Sequence, residues 1–419
     1  MRKSLLAAVV VAWAQSFGPA IPVAVAQVFS YRGFLETRAD LYPQNAANDE
    51  TQAVGEALFR IEASGDARPW LRLRGAFDAR MDTNGQAARS WKIDWIDRTR
   101  RRPALAVREA SATIGRGKVT LDLGKQFIRW GKADIVNPTD RFAPRDFLSV
   151  TDNVFLAVTA ARLGYGGASH TIDAVWVPFF TPSRIPLYDK RWTVLLPPLQ
   201  DLQLIDLGAE YPGGSQVGVR WNHVASGYEY SLSYYDGYNT LPLIDATVFP
   251  TFAPPPAVGL EQHFPRIRQA GADVAWPLPW FTLKGEAAYF TSPEGDADEY
   301  LLYVIQAERQ TGELSLVGGY AGEAVTVQRR NAGFAPDRGL TKAFLGRASY
   351  TIDPNRSVAA EFAVRQTLDG AWLKGEYSQA IGGHWRVTAY GNLIRGAFTD
   401  FIGQYSRNSH VTLTVRCSF

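Results

Sequence analysis

The stretch HVTLTVRCSF, residues 410–419, decides how the chain is to be read. Val411, Leu413, Val415, Cys417 and Phe419 share one parity, and His410, Thr412, Thr414, Arg416 and Ser418 share the other. Period-two alternation marks a β-strand with one apolar and one polar face. A terminal strand of a soluble sandwich alternates in the same way, so the rest of the chain has to distinguish the two architectures.

Working outward, the same alternation recurs along the chain. VFSYRGFLETRADLY (28–42) sets Phe29, Tyr31, Gly33, Leu35, Ala39 and Leu41 against Ser30, Arg32, Glu36, Arg38 and Asp40. LRLRGAFDARMD (71–82) sets Leu71, Leu73, Phe77 and Met81 against Arg72, Arg74, Asp78, Arg80 and Asp82. FTLKGEAAY (281–289) and WLKGEYS (372–378) alternate Lys and Glu with Leu, Gly, Ala and Tyr. Many of these runs exceed the mean of about 5–6 residues for a soluble strand and match the roughly 9–11 of a tilted membrane-spanning one.

The connections alternate in length. The short ones are GDARP (65–69), GRG (115–117), GGAS (166–169), ASG (225–227), PLP (277–279), TG (311–312), DPN (353–355) and GGH (382–384). Between them lie longer segments near 43–52, 84–103, 129–152, 179–215, 237–266, 293–298, 328–340, 368–370 and 396–407. Short turns on one rim and long loops on the other describe a transmembrane antiparallel up-and-down β-barrel, an all-β fold of about 18 strands. A count of 16 stays open because QLIDLGAEYPGG (203–214) reads either as a strand extension past a bulge or as loop. In this architecture the apolar faces meet lipid and the charged faces line the lumen.

The N-terminal end reads as an address. Arg2 and Lys3 precede an apolar run over 5–14, and Ala24-Val25-Ala26 offers a small-x-small cleavage site, the pattern of a secretory signal peptide. The expected organisation is therefore a signal peptide over 1–26 and a single barrel domain over 27–419. A lone cysteine, Cys417, excludes an intrachain disulfide framework. The formal charge of +3 is close to balanced and argues against a nucleic-acid partner. A mean hydropathy of −0.15 and a charged share of 20% are values that would suit a soluble protein. The 12 Trp, 18 Tyr and 22 Phe suit interfacial girdles, and Trp70, Trp276, Trp280, Tyr289, Tyr350 and Trp385 fall near expected strand ends.

With its long alternating strands and a final strand ending on Phe419, the mature chain resembles Gram-negative outer-membrane β-barrels of the porin type. The resemblance implies a passive channel for small solutes in the outer membrane, with lipid and lipopolysaccharide around it and a homotrimer as one assembly. It implies that the barrel-assembly machinery reads the last strand, making Phe419 an assembly signal, and that this strand closes the barrel against the first. KQFIRWG (125–131) is similar to an RQ-x-x-x-WG strand of porin-like families, with Lys125 in place of Arg.

The candidate pore lining follows from the polar parity. The early strands supply Arg32, Glu36, Arg38, Glu56, Arg60, Glu62, Arg72, Arg74, Asp78 and Arg80, and the later ones Lys284, Glu286, Arg347, Glu361, Arg365, Lys374, Glu376 and Arg386. The candidate constriction is the third long connection, with Arg129, Lys132, Asp134, Asp140, Arg141, Arg145 and Asp146; porins often fold one long loop into the barrel. No G-x-S-x-G, H-E-x-x-H or C-x-x-C motif is present, and no cofactor or metal site is expected. His223 in WNHVASG and His410 in NSHVTL are loosely similar to outer-membrane phospholipase surroundings, which keeps a lipid hydrolase as an alternative beside an occluded structural or adhesion barrel. Asp296, Asp298 and Glu299 form an acidic loop able either to bridge calcium to lipopolysaccharide or to stand as a solvated turn.

Overall fold

A computed structural model describes residues 29–194, 202–249, 257–329 and 334–419; the expected signal peptide lies outside the described residues. Eighteen strands form one closed antiparallel sheet. They are β1 (Phe29–Leu41), β2 (Ala53–Arg68), β3 (Leu71–Asp82), β4 (Leu105–Arg116), β5 (Val119–Gln126) and β6 (Val158–Gly166). The middle third comprises β7 (His170–Val177), β8 (Gln216–Ala225), β9 (Tyr228–Tyr238), β10 (Arg266–Pro277), β11 (Thr282–Thr291) and β12 (Glu299–Thr311). The last third comprises β13 (Leu314–Val327), β14 (Ala343–Asp353), β15 (Arg356–Arg365), β16 (Gly370–Ile381), β17 (Trp385–Gly396) and β18 (His410–Ser418). Each strand pairs with its sequence neighbours, and β1 pairs with β18 from Phe34↔Ser418 to Leu41↔Val411. Closure leaves no unpaired strand edge, which a sheet in hydrocarbon requires.

The exterior is apolar. Leu35, Leu73, Leu163, Trp176, Leu232, Ile305, Phe362, Leu373 and Leu413 are all exposed on the outside of the wall, where the alternation places them. This is a lipid-facing surface, and the barrel is built to span a bilayer. Trp70, Trp280, Tyr350 and Trp385 are exposed at the short-turn rim, the position of an interfacial girdle. All eight short connections are present, and Gly117, Gly227, Gly312 and Gly382 supply the positive φ that four of them need.

The ambiguous 203–214 segment belongs to a loop. Gln203–Glu210 pairs in parallel with Ala257–His263, which pairs in antiparallel with Leu243–Phe249, making a separate three-stranded sheet on the long-loop side. The strand count is 18, and 16 is excluded.

The seam is tied at its end by Phe419. Its N–H donates to the Gly33 carbonyl at 2.9 Å and its own carbonyl accepts from the Gly33 N–H at 2.9 Å. The ring stacks on Phe59 at 6.1 Å and fills the notch left by Gly33, where a Cβ would lie 2.5 Å from the ring.

Candidate functional site

The third long connection, residues 127–157, leaves β5 inward, and the wall explains why. Near the long-loop rim, the inner faces of β7 and β9–β12 carry Val175, Val177, Tyr235, Ile267, Phe290 and Leu302 instead of charges. Ile128, Trp130 and Phe142 of the loop pack on this patch, with Phe142 edge-on to Trp130 at 5.1 Å and to Tyr235 at 5.0 Å. Burying each such side chain stabilises the inward course by about 1.5–3 kcal/mol.

Polar contacts then fix the loop to that wall. Glu286 on β11 accepts the backbone N–H groups of Lys132 (3.0 Å), Ala133 (3.1 Å) and Thr139 (2.8 Å) and the Thr139 hydroxyl at 2.8 Å. Lys132 forms ion pairs with Glu229 on β9 and Asp273 on β10, both at 2.9 Å. Asp134 pairs with Lys284 at 3.2 Å, and Asp140 receives the Gly131 N–H at 2.7 Å and pairs with Arg129 at 3.2 Å.

The far limb of the loop reaches the opposite wall. Asp152 lies 2.8 Å from Arg38 on β1 and 3.6 Å from Lys374 on β16, beside the buried His410 that opens β18. Burial alone would raise the Asp152 carboxyl, but His410, Arg38 and Lys374 outweigh it and hold the group below the usual carboxylate range. Asp146 is buried between Arg102 at 3.0 Å and Arg184 at 3.2 Å, and these two guanidinium groups overcome its burial and likewise hold it low. The loop therefore spans the lumen and is clamped on both sides.

Two cavities flank the 149–153 segment. The larger, about 310 Å³, has Phe147, Leu241, Trp372, Ile394 and Phe401 in its lining together with Arg141, Arg145 and Arg347. The smaller, about 200 Å³, is polar and faces β1–β4 and β18. It is lined by seven arginines (Arg38, Arg60, Arg80, Arg102, Arg108, Arg191 and Arg416) against the four carboxylates of Glu36, Asp40, Glu56 and Asp152. Arg145 lies 4.2 Å from the centre of the Phe155 ring, as does Arg129, and has no carboxylate within ion-pair distance among the described residues. Burial, with Asp140 opposing and Arg129 and Arg141 reinforcing it, pulls Arg145 down to about 10, so the group stays charged at neutral pH.

The expected lining residues on β1–β3, β11 and β14–β17 all sit on the lumen parity. They form cross-strand ladders: Arg60–Asp78 at 2.6 Å, Arg80–Glu56 at 2.8 Å, Arg347–Glu361 at 3.3 Å and Arg416–Glu36 at 2.5 Å. Arg32 pairs with Glu62 and Arg72 with Asp66 near the short-turn rim, where Arg74 and Arg386 are also exposed. Arg365 is tied to Asp400, and Lys374 also lies 3.6 Å from Glu376. Glu286, Asp140 and Asp146 are on the expected elements, but they serve as buried anchors of the loop.

The periodicity missed Asp152, Arg102, Arg108, Arg184 and Arg191. Arg108 turns inward at a bulge between β3 and β4, which simple parity counting skips. Arg184 and Arg191 come from the fourth long connection, which crosses the mouth: Arg191 lies over the Tyr42 ring at 3.7 Å, and its carbonyl accepts from Asn408 at 2.9 Å. Arg102 ends the basic run RTRRR (98–102), and nothing local to that run signals its pairing with Asp146.

His223 and His410 do not come together. His223 is on the outer face, 3.0 Å from His170, whereas His410 is buried in the lumen with its Nδ1–H donating to the Asn408 carbonyl at 2.8 Å. Two of the three acidic-loop carboxylates are ion-paired, Asp298 with Arg338 at 2.8 Å and Glu299 with Arg329 at 2.9 Å, and Asp296 accepts a hydrogen bond from Ser292 at 2.8 Å.

No protein-family model matches the sequence, and no curated protein matches it. Solved structures do. Among them are Pseudomonas aeruginosa OpdQ (9% identity, TM-score 0.52, covering 94% of this chain and 99% of that one) and Acinetobacter baumannii OccAB4 (9%, 0.54, 93% and 97%). A BenF-like porin from Pseudomonas fluorescens Pf-5 aligns similarly (8%, 0.53, 94% and 98%). At these identities the likeness is one of fold, and it extends over almost the whole of each chain.

Proposed function

We propose that this barrel is an outer-membrane diffusion channel of the porin type for small polar solutes, narrowed by the 127–157 loop and favouring anions. The double clamping of that loop carries the reading: it divides the lumen without filling it, leaving cavities of about 310 and 200 Å³. The smaller cavity has seven arginines against four carboxylates, and a net excess of one sign of charge in a low-dielectric passage favours the opposite ion. Arg38, Arg60, Arg80, Arg108 and Arg416 form the basic side of the path. Arg145 meets solutes in the larger cavity, and Lys284, Arg347 and Glu361 lie on the remaining wall. The purified protein in planar lipid bilayers is expected to give discrete conductance steps, with a reversal potential of anion-preferring sign in a salt gradient. Cation preference would overturn the charge assignment.

A second reading, an occluded barrel, has one observation in its favour. Trp192 is fully buried beside Tyr405 at 5.7 Å, so aromatic residues of two loops meet at the mouth near the seam. A folded barrel that carries no current would select this reading over the channel.

A further inference from the structure

Because the inner loop departs at Gln126, β4 loses its β5 neighbour over its first residues, and another segment takes the place. Residues 91–97 (WKIDWID) lie along this gap, with Ile93 bridging in parallel to Leu105 at the start of β4. The segment also covers the outside of the wall. Lys125 shares the outward parity of Leu121 and Leu123, yet it is 1% exposed, because its ammonium is enclosed by the Trp95 carbonyl at 2.8 Å and by Asp97. The Trp95 indole donates to Thr159, an outward position of β6, at 2.9 Å.

This strap turns its apolar residues away from the protein. Trp91 is 75% exposed, Ile93 56% and Trp95 41%, at the long-loop rim directly above the lipid-facing Leu123 and Leu163. Around them Arg89, Lys92 and Arg101 are exposed, and among the described residues none of the three has a carboxylate within ion-pair distance. The strap's own carboxylates are spent inward. Asp94 accepts the backbone N–H groups of Ile96, Asp97 and Thr99, and Asp97 is held by Lys125 and by Arg184 at 2.8 Å. What remains outside is an aromatic-aliphatic ridge flanked by unpaired cations, continuous with the lipid-facing wall.

We infer that this strap is a binding site for a phosphorylated acyl lipid of the leaflet at the long-loop rim. The chains would pack on Trp91, Ile93 and Trp95, and the phosphates would be met by Arg89, Lys92 and Arg101. Amphipathic aromatic rings favour the headgroup boundary, and clustered cations there attract phosphate. The inference rests on the barrel spanning a bilayer and is independent of what the lumen conducts.

The test uses the full-length folded protein in detergent, titrated with lipid A and with its dephosphorylated form and followed by native mass spectrometry. Wild type is expected to retain lipid A more tightly than the dephosphorylated probe, with inorganic phosphate failing to compete. The triple variant R89Q/K92Q/R101Q should lose roughly a hundredfold in affinity, about fivefold per cation. Arg116→Gln, exposed at the opposite rim, should lose none. W91A/W95A should weaken both probes together. Retention unchanged in the triple variant, or displacement by inorganic phosphate, would overturn the proposal. So would loss of an oligomer with lipid binding intact, which would make the strap a contact between copies of the chain. Bilayer conductance of the triple variant should equal wild type, so the outcomes here and those for the channel reading are separable.

Discussion

Replacing Asp152 with Asn removes a charge at constant shape and should release one end of the loop that divides the lumen. At an effective dielectric of about 20, a unit pair at 2.8 Å is worth about 6 kcal/mol, and one at 3.6 Å about 5 kcal/mol, before desolvation. These are the Arg38 and Lys374 separations, and desolvating a carboxylate that is 11% exposed cancels much of both. Breaking a buried pair costs about 3–5 kcal/mol when the partner is left alone. Here Arg38 keeps Asp40 at 2.8 Å and Lys374 keeps Glu376 at 3.6 Å, which reduces the expected loss to about 2–3 kcal/mol. That shifts the ratio of clamped to released loop by roughly 30- to 150-fold. Single-channel recording should show frequent transitions to a larger conductance in Asp152→Asn, but not in Glu50→Gln on an exposed loop. The pH dependence has a definite sign. Because the folded carboxyl titrates below its unfolded value of about 3.9, the clamp is fully present above that pH and is lost as the pH falls through the lower folded value. Wild-type current should therefore stay quiet from about pH 8 to 5 and become noisy only below about pH 4. A quiet Asp152→Asn channel, or noise beginning near neutral pH, would refute the clamp.

Three further outcomes test other parts of the structure. Leu373→Arg, on the lipid face of β16, should destabilise the folded barrel by about 2–4 kcal/mol, read as loss of the heat-modifiable fast-migrating form, whereas Glu376→Gln on the lumen side should not. Deleting Phe419 removes two backbone hydrogen bonds and the ring seated at Gly33, so surface abundance should fall well below that of Asp296→Asn, and Gly33→Val should show the same defect by blocking the ring. Arg145→Glu should move the reversal potential toward cations with folding intact; an unchanged potential would place the solute path away from the larger cavity.

The barrel was legible because its two faces repeat with period two, so facing and closure followed from residues such as Leu373 and Lys374 without any knowledge of neighbours. The inward loop was legible in outline from the density of charge over 125–150. Its mooring was not. Asp152 lies 114 residues from Arg38 and 222 from Lys374, and nothing local to TDN at 151–153 marks it as a clasp. The apolar inner patch on β9–β12 was hidden for a different reason. Tyr235, Ile267, Phe290 and Leu302 continue the polar parity as apolar residues, so these strands read as less regular when they are in fact two-sided. The outward Lys125 breaks the alternation in the opposite sense, and only the strap folded over it explains a cation on that face.

The seam sets an order of events for a newly made chain. Thr412 meets Asp40 across 372 residues and Arg416 meets Glu36 across 380, so these are among the last contacts a growing sheet can make. The Asp152 clasp draws on β1, β16 and the first residue of β18, so it straddles the same seam. Before the two ends of the chain meet, the loop can already pack on the apolar patch and bond to Glu286, Asp273 and Lys284 on the far wall, but the clasp at Asp152 is incomplete. Closure of the wall and completion of the second clamp on the loop are thus coupled. An arrested intermediate would carry a loop fixed on one wall and free at its Asp152 end, so an unclosed barrel would also be an unclamped one.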